Sequence, residues 1–328
     1  MVIREEIGID LGTTSIIVYV KNKGIVLTEP SVVAVNKRTN EVIAYGEKAA
    51  KMIGKNPSNI EVIKPLKDGV ISNFTYTEKL IKHYIKKTMN RSLLAPSIII
   101  CIPAKVTDVE KRAVIDVAIQ NGAKNVKLIE EPVAAAIGAG LDINKQNGNL
   151  LVDIGGGTAD IAVISEGKSI VSKTITIAGN KFTEEVIVFV RRRYNILIGE
   201  QTAEDIKKEI GSVCYTENDI KKTYRGKDNF TGLPIEFEVS ANELAKTLYP
   251  YGMEIVDSIK YMLQKTPPEL MEDISDRSIY LTGGGSLIKG LDVIIKKATG
   301  LNVRIARDPI NCVVKGIGKI IEKRAKWD

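Results

Sequence analysis

The sequence predicts an α/β protein built as two related lobes, each opening with a tight β-hairpin. Strands alternate with helices along all 328 residues. This length exceeds what one hydrophobic core usually serves, which favours two domains or two apposed lobes. One plan also occurs twice: a strand, an aspartate, a glycine turn, a hydroxyl residue and a strand form both IGIDLGTTSIIVYV (7–20) and LLVDIGGGTADIAVI (150–164). We therefore expect both turns to face a common cleft.

In the first half, the clearest element is a helix within TDVEKRAVIDVAIQNGA (107–123). Thr107 and Glu110 have the spacing of a capping box, and Gly122 is a helix stop. The other expected elements are a β-rich segment to about residue 45, a helix at 77–89, a strand at 126–129 (VKLI) and a small-residue helix at 133–140 (VAAAIGAG).

The second half repeats the alternation and adds a third glycine turn. SIYLTGGGSLIKGL (278–291) contains a strand, three glycines and a helix start, an arrangement in which backbone N–H groups meet an anion or a nucleotide. The other expected elements are the hairpin at 150–164, helices near 181–194 and 202–210, and a polar stretch of no assigned structure around 214–232.

The composition is that of an ordinary globular protein, with 44% hydrophobic and 27% charged residues. Lysine and arginine exceed aspartate and glutamate by 47 to 40, an excess too small to choose between nucleic acid and a membrane surface. Three widely spaced cysteines and one histidine predict a reducing compartment and neither a disulfide framework nor a zinc site. Because no signal peptide or apolar span of eighteen residues occurs, we expect a cytoplasmic protein.

The two aspartate turns have the chemistry of a phosphate and metal site. Glycine lets backbone N–H groups approach phosphate oxygens, and a carboxylate beside them suits the metal ion that accompanies phosphate. We expect Asp10 and Asp153 to lie near one Mg²⁺, through its waters, with Thr13, Thr14 and Thr158 as hydroxyl donors. A single turn of this kind is usually an ordinary hairpin, but three in this order favour nucleotide binding. No P-loop or Rossmann motif is present.

Glu131 lies at the end of a predicted strand and directly before Pro132. Proline biases the preceding residue toward an extended conformation and suits the first turn of a helix. A carboxylate at this place could orient or deprotonate a water that attacks a γ-phosphate. The alternative is a carboxylate that only stabilises the helix N-terminus through its dipole.

Taken together, these segments resemble the actin, heat-shock chaperone and sugar-kinase ATPase superfamily. The matching segments are the two aspartate turns, KLIEEPVAAAIGAGL as the connecting segment and IYLTGGGSLIKGL as the adenosine motif. Within this group the chain resembles the MreB family of bacterial actin homologues through GIVLTEPSVVAV, IKPLKDGVISNF, IGEQTAEDIKKEIGS and PPELMEDISDR, so that the resemblance covers essentially all residues.

The resemblance implies an actin-like ATPase fold, with four subdomains around a nucleotide cleft that holds ATP and Mg²⁺. The implied subdomains are IA (1–31 and 75–143), IB (32–74), IIA (144–180 and 247–328) and IIB (181–246). The implied phosphate residues are Asp10, Gly12, Thr13 and Thr14 on one side and Gly155, Gly156, Gly157 and Thr158 on the other. The resemblance also implies that Glu131 positions the attacking water with help from Thr158. The implied nucleoside contacts are Glu204 and Lys207 to ribose and adenine, and Gly284, Gly285 and Ser286 over the base.

The resemblance also implies a function. Members of this family assemble with ATP into antiparallel double filaments on the inner face of the cell membrane, where they organise cell-wall synthesis and maintain rod shape. The partners implied are further copies of the chain, inner-membrane lipids and membrane proteins of cell-wall elongation. No nucleic acid is expected, because RRR (191–193) late in a predicted helix suits the helix C-terminus and solvent, and no aromatic-interleaved basic face accompanies it.

Membrane contact is expected at Leu93 and Leu94, which follow a basic helix within KKTMNRSLLAPS. The alternative is that these leucines begin the next strand, SIIICIP.

Other functions of the same superfamily stay open. A chaperone ATPase shares the turns, but the sequence ends at IIEKRAKWD, so that we expect no substrate-binding region after it. A sugar kinase would need a substrate pocket and a base aimed at a hydroxyl. A plasmid-segregation or division-site actin is a nearer alternative, and the segment from 32 to 74 favours the MreB type over the division type.

Overall fold

The computed structural model describes residues 5–88, 95–103 and 106–323. The chain divides into two compact units. Unit 1 comprises Met1–Gln146, Ile164–Ser169 and Ile310–Asp328, and unit 2 comprises Asn147–Val163 and Ile170–Pro309.

Strands and helices are numbered in chain order over the described residues. The strands are β1 (Glu6–Leu11), β2 (Ser15–Val20), β3 (Gly24–Pro30), β4 (Val33–Asn36), β5 (Val42–Tyr45), β6 (Ile60–Ile63), β7 (Leu66–Lys67), β8 (Val70–Ile71), β9 (Ser97–Ile102), β10 (Asn125–Glu130), β11 (Asn149–Ile154), β12 (Ala159–Ser165), β13 (Lys168–Ile175), β14 (Ile196–Leu197), β15 (Lys221–Asp228), β16 (Pro234–Ser240), β17 (Ile279–Thr282) and β18 (Val303–Ile305). The helices are α1 (Gly46–Ala50), α2 (Phe74–Thr88), α3 (Asp108–Gln120), α4 (Glu131–Ala139), α5 (Gly179–Tyr194), α6 (Glu200–Ile210), α7 (Ala241–Lys265), α8 (Pro268–Asp276), α9 (Leu291–Thr299) and α10 (Cys312–Lys323), with short 3-10 helices at Gly284–Leu287 and Pro309–Asn311.

Unit 1 is built on a five-stranded sheet of order β10-β9-β1-β2-β3. Strands β1, β9 and β10 are parallel, whereas β2 and β3 continue from β1 in antiparallel pairs. Every residue of β9 is buried, as expected for a central parallel strand covered on both faces. The register places Asp10 and Ile129 opposite Cys101, on either side of β9. The carboxyl ends of β1 and β10 therefore lie at one edge of this sheet.

A smaller antiparallel sheet, of order β5-β4-β6, lies within the same unit and packs with helix α1. Its own small core contains Val32, Ala34, Ala44 and Ala49. These residues belong to the segment expected to form subdomain IB, and the division into four subdomains stays a prediction.

The C-terminal helix α10 packs against α4 in unit 1 at very short range. A Cβ at Gly316 would collide with the carbonyl of Ala134, and a Cβ at Gly138 would collide with the carbonyl of Cys312. Lys319 adds a bond from its ammonium to the carbonyl of Ile137 at 2.8 Å, near the C-terminus of α4. The helix therefore groups with unit 1, whereas the sequence-based division assigned 247–328 to the second lobe.

Unit 2 is built on a five-stranded sheet of order β13-β12-β11-β17-β18, in which β11, β17 and β18 are parallel. A three-stranded sheet has the order β14-β15-β16, and its strand β15 takes up residues 221–228 of the polar stretch around 214–232, for which the sequence predicts no structure. Its strand β15 pairs with β16 in an antiparallel register from Lys221–Ser240 to Lys227–Pro234. The strand is mostly exposed and rich in charged side chains, so its sequence lacks the apolar alternation that predicts a strand.

Several predictions from the sequence are confirmed. The α/β class holds, the helix after Thr107 has its capping box, and Gly122 follows its C-terminus with φ +98°. Arg191, Arg192 and Arg193 are exposed in the last turn of α5, as expected for basic residues at a helix C-terminus. In the part of the chain that the structure describes, no helix is long and apolar enough to cross a membrane.

Candidate functional site

The sheet edge of unit 1 brings together two of the carboxylates predicted from the sequence. Asp10 is next to the last residue of β1, and Glu131 directly follows β10. Because only β9 separates β1 from β10, the two backbones are about 10 Å apart, two strand spacings. Each carboxylate residue is only 9% exposed. Side chains at the carboxyl ends of parallel strands are well placed for binding and catalysis.

The turn after Asp10 is tightly held by backbone bonds. The N–H of Gly12 donates to the carbonyl of Ser15 at 3.1 Å, and the hydroxyl of Ser31 donates to the carbonyl of Gly12 at 2.6 Å. The hydroxyl of Thr13 accepts from the N–H of Gly69 at 3.2 Å, whereas Thr14 is exposed. The predicted turn residues Gly12, Thr13 and Thr14 therefore lie together beside Asp10.

Glu131 is the first residue of α4, and the preceding Glu130 is the extended N-cap, with φ −71° and ψ 136°. The extended conformation expected at Glu131 is therefore wrong by one residue, although proline does occupy the first turn of the helix. The reason is that Glu130 completes the β10 pairing opposite Ile102. The carboxylate of Glu131 therefore lies at the helix N-terminus. This position is compatible both with a role in orienting water and with a purely structural role at the helix dipole.

In unit 2 the central contact joins the ends of β11 and β17. Asp153 lies opposite Thr282 in the register, and the Thr282 hydroxyl donates to Oδ1 of Asp153 at 2.7 Å. Burial raises the pKa of the Asp153 carboxyl to about 7, the Thr282 hydrogen bond opposes this shift, and the charge of Asp160 adds to it. A cation beside Asp153 would favour its ionised form.

The glycine turn after Asp153 is held by its own backbone and by helix α5. The N–H of Gly155 donates to the carbonyl of Thr158 at 2.8 Å. From the first turn of α5, Gly179 N–H donates to the Gly155 carbonyl at 3.0 Å, and Asn180 N–H donates to the Gly156 carbonyl at 2.7 Å. In a trans peptide the carbonyl points opposite to the next N–H. The N–H groups of Gly156 and Gly157 therefore point away from α5.

The third glycine turn packs directly on the end of β11. Gly283 has φ +77°, and a Cβ there would collide with the carbonyl of Ile154 and lie 2.9 Å from Oδ1 of Asp153. A Cβ at Gly285 would lie 3.1 Å from the Gly155 carbonyl. The turn continues as the 3-10 helix Gly284–Leu287, with Ser286 donating to the carbonyl of Gly283 at 2.7 Å. The helix start expected here is therefore a single 3-10 turn, and α9 begins at Leu291.

Helix α6 adds a partly buried charged pair to the same part of unit 2. Lys207 Nζ is 2.6 Å from Oε2 of Glu204, and it also donates to the Gly179 carbonyl and the Thr183 hydroxyl, each at 3.0 Å. The Thr183 hydroxyl donates to the same Glu204 oxygen at 2.6 Å. Helix α5 thus contacts both the Glu204–Lys207 pair and the glycine turn after Asp153. The predicted site residues of unit 2 therefore lie in one part of that unit.

Comparison with known proteins settles the relationship of the chain. A family model described as "MreB/Mbl protein" matches residues 4–328. The chain belongs to the MreB/Mbl family. Mbl of Bacillus subtilis (strain 168), a cell shape-determining protein, is 45% identical over 322 residues, which cover 98% of the chain and 97% of the relative. The cell shape-determining protein MreB of Escherichia coli (strain K12) is 44% identical over 324 residues, covering 97% and 93%.

Solved structures agree with the MreB/Mbl assignment. MreB 5 of Spiroplasma citri bound to AMPPNP is similar with a TM-score of 0.91 and 40% identity, covering 98% of this chain and 96% of that one. A MamK double helical filament structure is similar with a TM-score of 0.82, covering 98% and 100%, and at 24% identity it supports the fold alone. The actin-like fold predicted from the sequence is confirmed.

Some contacts of this MreB/Mbl-family protein were not predicted from the sequence. Thr282, Thr183 and Asn180 hold the predicted site residues but belong to none of the glycine turns themselves. The sequence does carry a signal for Thr282: it is a polar residue at a strand end before a glycine turn, the place that aspartate has in the other two turns. Leu93 and Leu94, the predicted membrane contacts, lie outside the described residues.

Proposed function

We propose that this MreB/Mbl-family protein binds ATP with Mg²⁺, hydrolyses it slowly and polymerises into membrane-associated filaments that organise cell-wall synthesis and maintain rod shape. The observation that carries the proposal is the sheet edge of unit 2. There, the carboxylate of Asp153, the glycine turn at 155–157 with its oriented N–H groups and the glycine turn at 283–285 contact one another.

Phosphate binding follows from the orientation of these N–H groups. The peptide carbonyls of Gly155 and Gly156 are turned toward α5, which directs the N–H groups of Gly156 and Gly157 to the opposite side. Successive N–H groups of this kind form a concavity that attracts anions. Thr158, which closes the turn, is proposed to add its hydroxyl. In unit 1, Gly12, Thr13 and Thr14 are proposed to donate to phosphate in the same way, and Asp10 is proposed to act on it through Mg²⁺.

The residues also fit Mg²⁺, which binds proteins through one or two carboxylates and takes its remaining ligands from phosphates and water. Within the three described ranges, no group of three His, Cys, Asp or Glu side chains could hold a metal ion. A dedicated protein cage is therefore absent from those residues, and Asp10 and Asp153 are the proposed carboxylates. Bound Mg²⁺ would neutralise phosphate charge. Because burial raises the pKa of Asp153 to about 7, its carboxyl is only partly ionised near neutral pH, and a nearby cation would favour the charged form.

Hydrolysis is assigned to Glu131. Its buried carboxylate at the end of β10 is proposed to orient a water for attack on the γ-phosphate, with help from Thr158. Glu204, Lys207, Gly284, Gly285 and Ser286 are proposed to lie near the nucleoside. The AMPPNP and ADP complexes of Spiroplasma citri MreB5, at 40% and 38% identity, support a nucleotide at a site of this type.

Filament formation and the role in cell shape rest on family membership. The curated relatives from Bacillus subtilis and Escherichia coli are both called cell shape-determining proteins. We propose the same role here, with further copies of the chain, inner-membrane lipids and membrane proteins of cell-wall elongation as partners. The proposed location is the cytoplasm, at the inner face of the cell membrane.

The test is high-speed pelleting of the purified chain with Mg-ATP, with and without anionic liposomes. We expect pelleting that requires ATP and increases with liposomes. A protein that hydrolyses ATP but stays in the supernatant at micromolar concentration in every condition contradicts the filament and favours a monomeric ATPase. A Glu131→Ala control should bind ATP but turn it over more slowly, which separates assembly from hydrolysis.

A further inference from the structure

The glycine turn of unit 1 is held by a single residue outside it, Ser31. The hydroxyl of Ser31 donates to the carbonyl of Gly12 at 2.6 Å, and its N–H donates to the carbonyl of Thr14 at 2.9 Å. Ser31 directly follows β3, whose last residue, Pro30, pairs with Ser15 at the start of β2. One residue at the end of the neighbouring strand therefore fixes two peptide planes of the turn.

The hydroxyl of Ser31 also determines the direction of an N–H group in this turn. The carbonyl of Gly12 and the N–H of Thr13 belong to one peptide unit, in which they point in opposite directions. Because the Gly12 carbonyl is bound to Ser31, the Thr13 N–H points away from Ser31. Ser31 itself is 0% exposed, and its hydroxyl proton is already bound to a carbonyl. It is therefore placed to orient the turn and not to contact a ligand.

The glycine turn of unit 2 is held at the equivalent carbonyl. Gly12 and Gly155 each lie two residues after an aspartate, and each donates its N–H to a carbonyl three residues later. The carbonyl of Gly155 accepts from the N–H of Gly179 in α5 at 3.0 Å, whereas that of Gly12 accepts from Ser31. The two turns therefore fix the same carbonyl with different donors. The donor in unit 1 is a side chain, so that a substitution can remove it.

We propose that Ser31 is a positioning residue for phosphate binding in unit 1. Its hydroxyl holds the Gly12 carbonyl so that the N–H of Thr13 faces a phosphate oxygen. This inference deepens the proposed function and rests on it. Ser31 lies outside the aspartate turn in the sequence and reaches it only through the antiparallel pairing of β2 with β3.

Alanine at position 31 separates the two contacts. It removes the hydroxyl bond to Gly12 but keeps the backbone bond from residue 31 to the Thr14 carbonyl. The turn therefore stays beside β3, while the peptide plane between Gly12 and Thr13 loses the donor that fixes its orientation. A positioning role then predicts a loss of affinity for phosphate groups and an unchanged affinity for the nucleoside.

The experiment compares Ser31→Ala with wild type in competition against a fluorescent ATP analogue in the presence of Mg²⁺. The competitors are ATP, adenosine and inorganic tripolyphosphate. We expect Ser31→Ala to weaken ATP and tripolyphosphate by the same factor, about tenfold, as for the loss of one hydrogen bond, and to leave adenosine within about twofold.

Ser97→Ala is the matched control. Ser97 is also 0% exposed and in unit 1, but its hydroxyl has no hydrogen-bond partner among the residues that the structure describes. This variant loses a buried hydroxyl without changing a contact of the glycine turn. It should bind all three competitors like wild type.

The proposal is overturned if Ser31→Ala weakens adenosine as much as ATP, if no competitor changes, or if Ser97→Ala shows the same losses. Ser31→Cys provides a second route should Ser31→Ala not fold, because a thiol fills the site of the hydroxyl but is a weak donor. It should show the same selective loss for ATP and tripolyphosphate, and wild-type affinity in this variant contradicts the proposal. If the wild-type chain itself binds no ATP, the proposed function fails, and that result is recognised before any variant is compared.

Discussion

Thr282 donates its hydroxyl to Oδ1 of Asp153 at 2.7 Å from the neighbouring parallel strand, and both residues are buried. The carboxylate proposed to approach Mg²⁺ is therefore supported by a residue 129 positions away in the sequence. A hydrogen bond to a carboxylate favours its ionised form and fixes its orientation.

Replacing Thr282 by valine should destabilise unit 2 and weaken Mg-ATP binding. Valine keeps the shape of threonine but leaves the buried Asp153 oxygen without this donor, at a cost of about 1–3 kcal/mol in the free energy of unfolding. Urea titration and Mg-ATP titration measure the two effects. Thr282→Ser, which retains a hydroxyl, is the control, and equal stability of the valine and serine variants would contradict the prediction.

The pH dependence of the nucleotide-free protein should show the titration of Asp153. Its pKa is about 7 in the folded protein, against an ordinary value of 3.8, so that the folded state binds the proton more tightly than the unfolded state. This contribution to stability is complete below the ordinary pKa and is lost as pH rises through about 7. We expect Tm to fall between about pH 5 and 7 by differential scanning fluorimetry. Asp153→Asn should show a shallower fall; an identical pH profile would argue against Asp153.

Glu131→Gln should slow hydrolysis while leaving nucleotide binding nearly unchanged. An amide keeps the shape of the side chain but cannot accept a proton from water, and such losses typically reduce turnover by about 10²-fold or more. Phosphate release under single-turnover conditions measures the rate, and the Kd for ATP should stay within about threefold. Glu130→Gln, the adjacent N-cap carboxylate, is the control and should hydrolyse ATP like wild type. Unchanged turnover in Glu131→Gln would favour the purely structural role at the helix N-terminus.

Gly316→Ala should destabilise unit 1, because a methyl group there collides with the carbonyl of Ala134 in α4. Overpacking of this kind costs about 1–3 kcal/mol. Chemical denaturation measures it, and ATP turnover should fall as well, since α4 begins with Glu131. The control is Gly199→Ala, where no atom lies within 4 Å of the new methyl group and φ is −83°. It should cost no more than about 1 kcal/mol.

Changing Leu93 and Leu94 together to aspartate should abolish binding to anionic liposomes and leave ATP binding intact. Charged side chains oppose burial of this segment in the membrane interface. Co-flotation with liposomes is the measurement. Phe230→Asp is the control, since Phe230 is 88% exposed in the turn between β15 and β16. Unchanged co-flotation of the double variant would show that the leucines serve another purpose.

Local signals in the sequence predicted most of what the two units place at their sheet edges. The Asp-Gly turns were visible because glycine and aspartate are required within a few residues of each other, and the capping box at Thr107 is equally local. These features depend on backbone geometry that neighbouring residues determine. They can therefore be predicted from the sequence without knowledge of the tertiary structure.

Features that depend on contacts between residues far apart in the sequence could not be predicted in this way. The Asp153–Thr282 bond requires the parallel register of β11 and β17, and the attachment of α10 to α4 requires a tertiary contact between helices far apart in the chain. Strand β15 was missed because its charged residues pair across the sheet, as Arg225 does with Glu236 at 2.7 Å. Such cross-strand pairs stabilise a strand without any apolar periodicity.

The attachment of α10 to α4 also affects the order in which the protein matures. A ribosome makes the whole of unit 2 before it makes residues 312–323, so that α4 leaves the exit tunnel long before its packing partner exists. Domains generally fold as units during synthesis. The packing of α4 in unit 1 is therefore completed only after residues 312–323 have been made. A nascent chain that has not yet reached residue 312 therefore lacks the helix that packs on α4, the helix whose first residue is the proposed hydrolytic carboxylate.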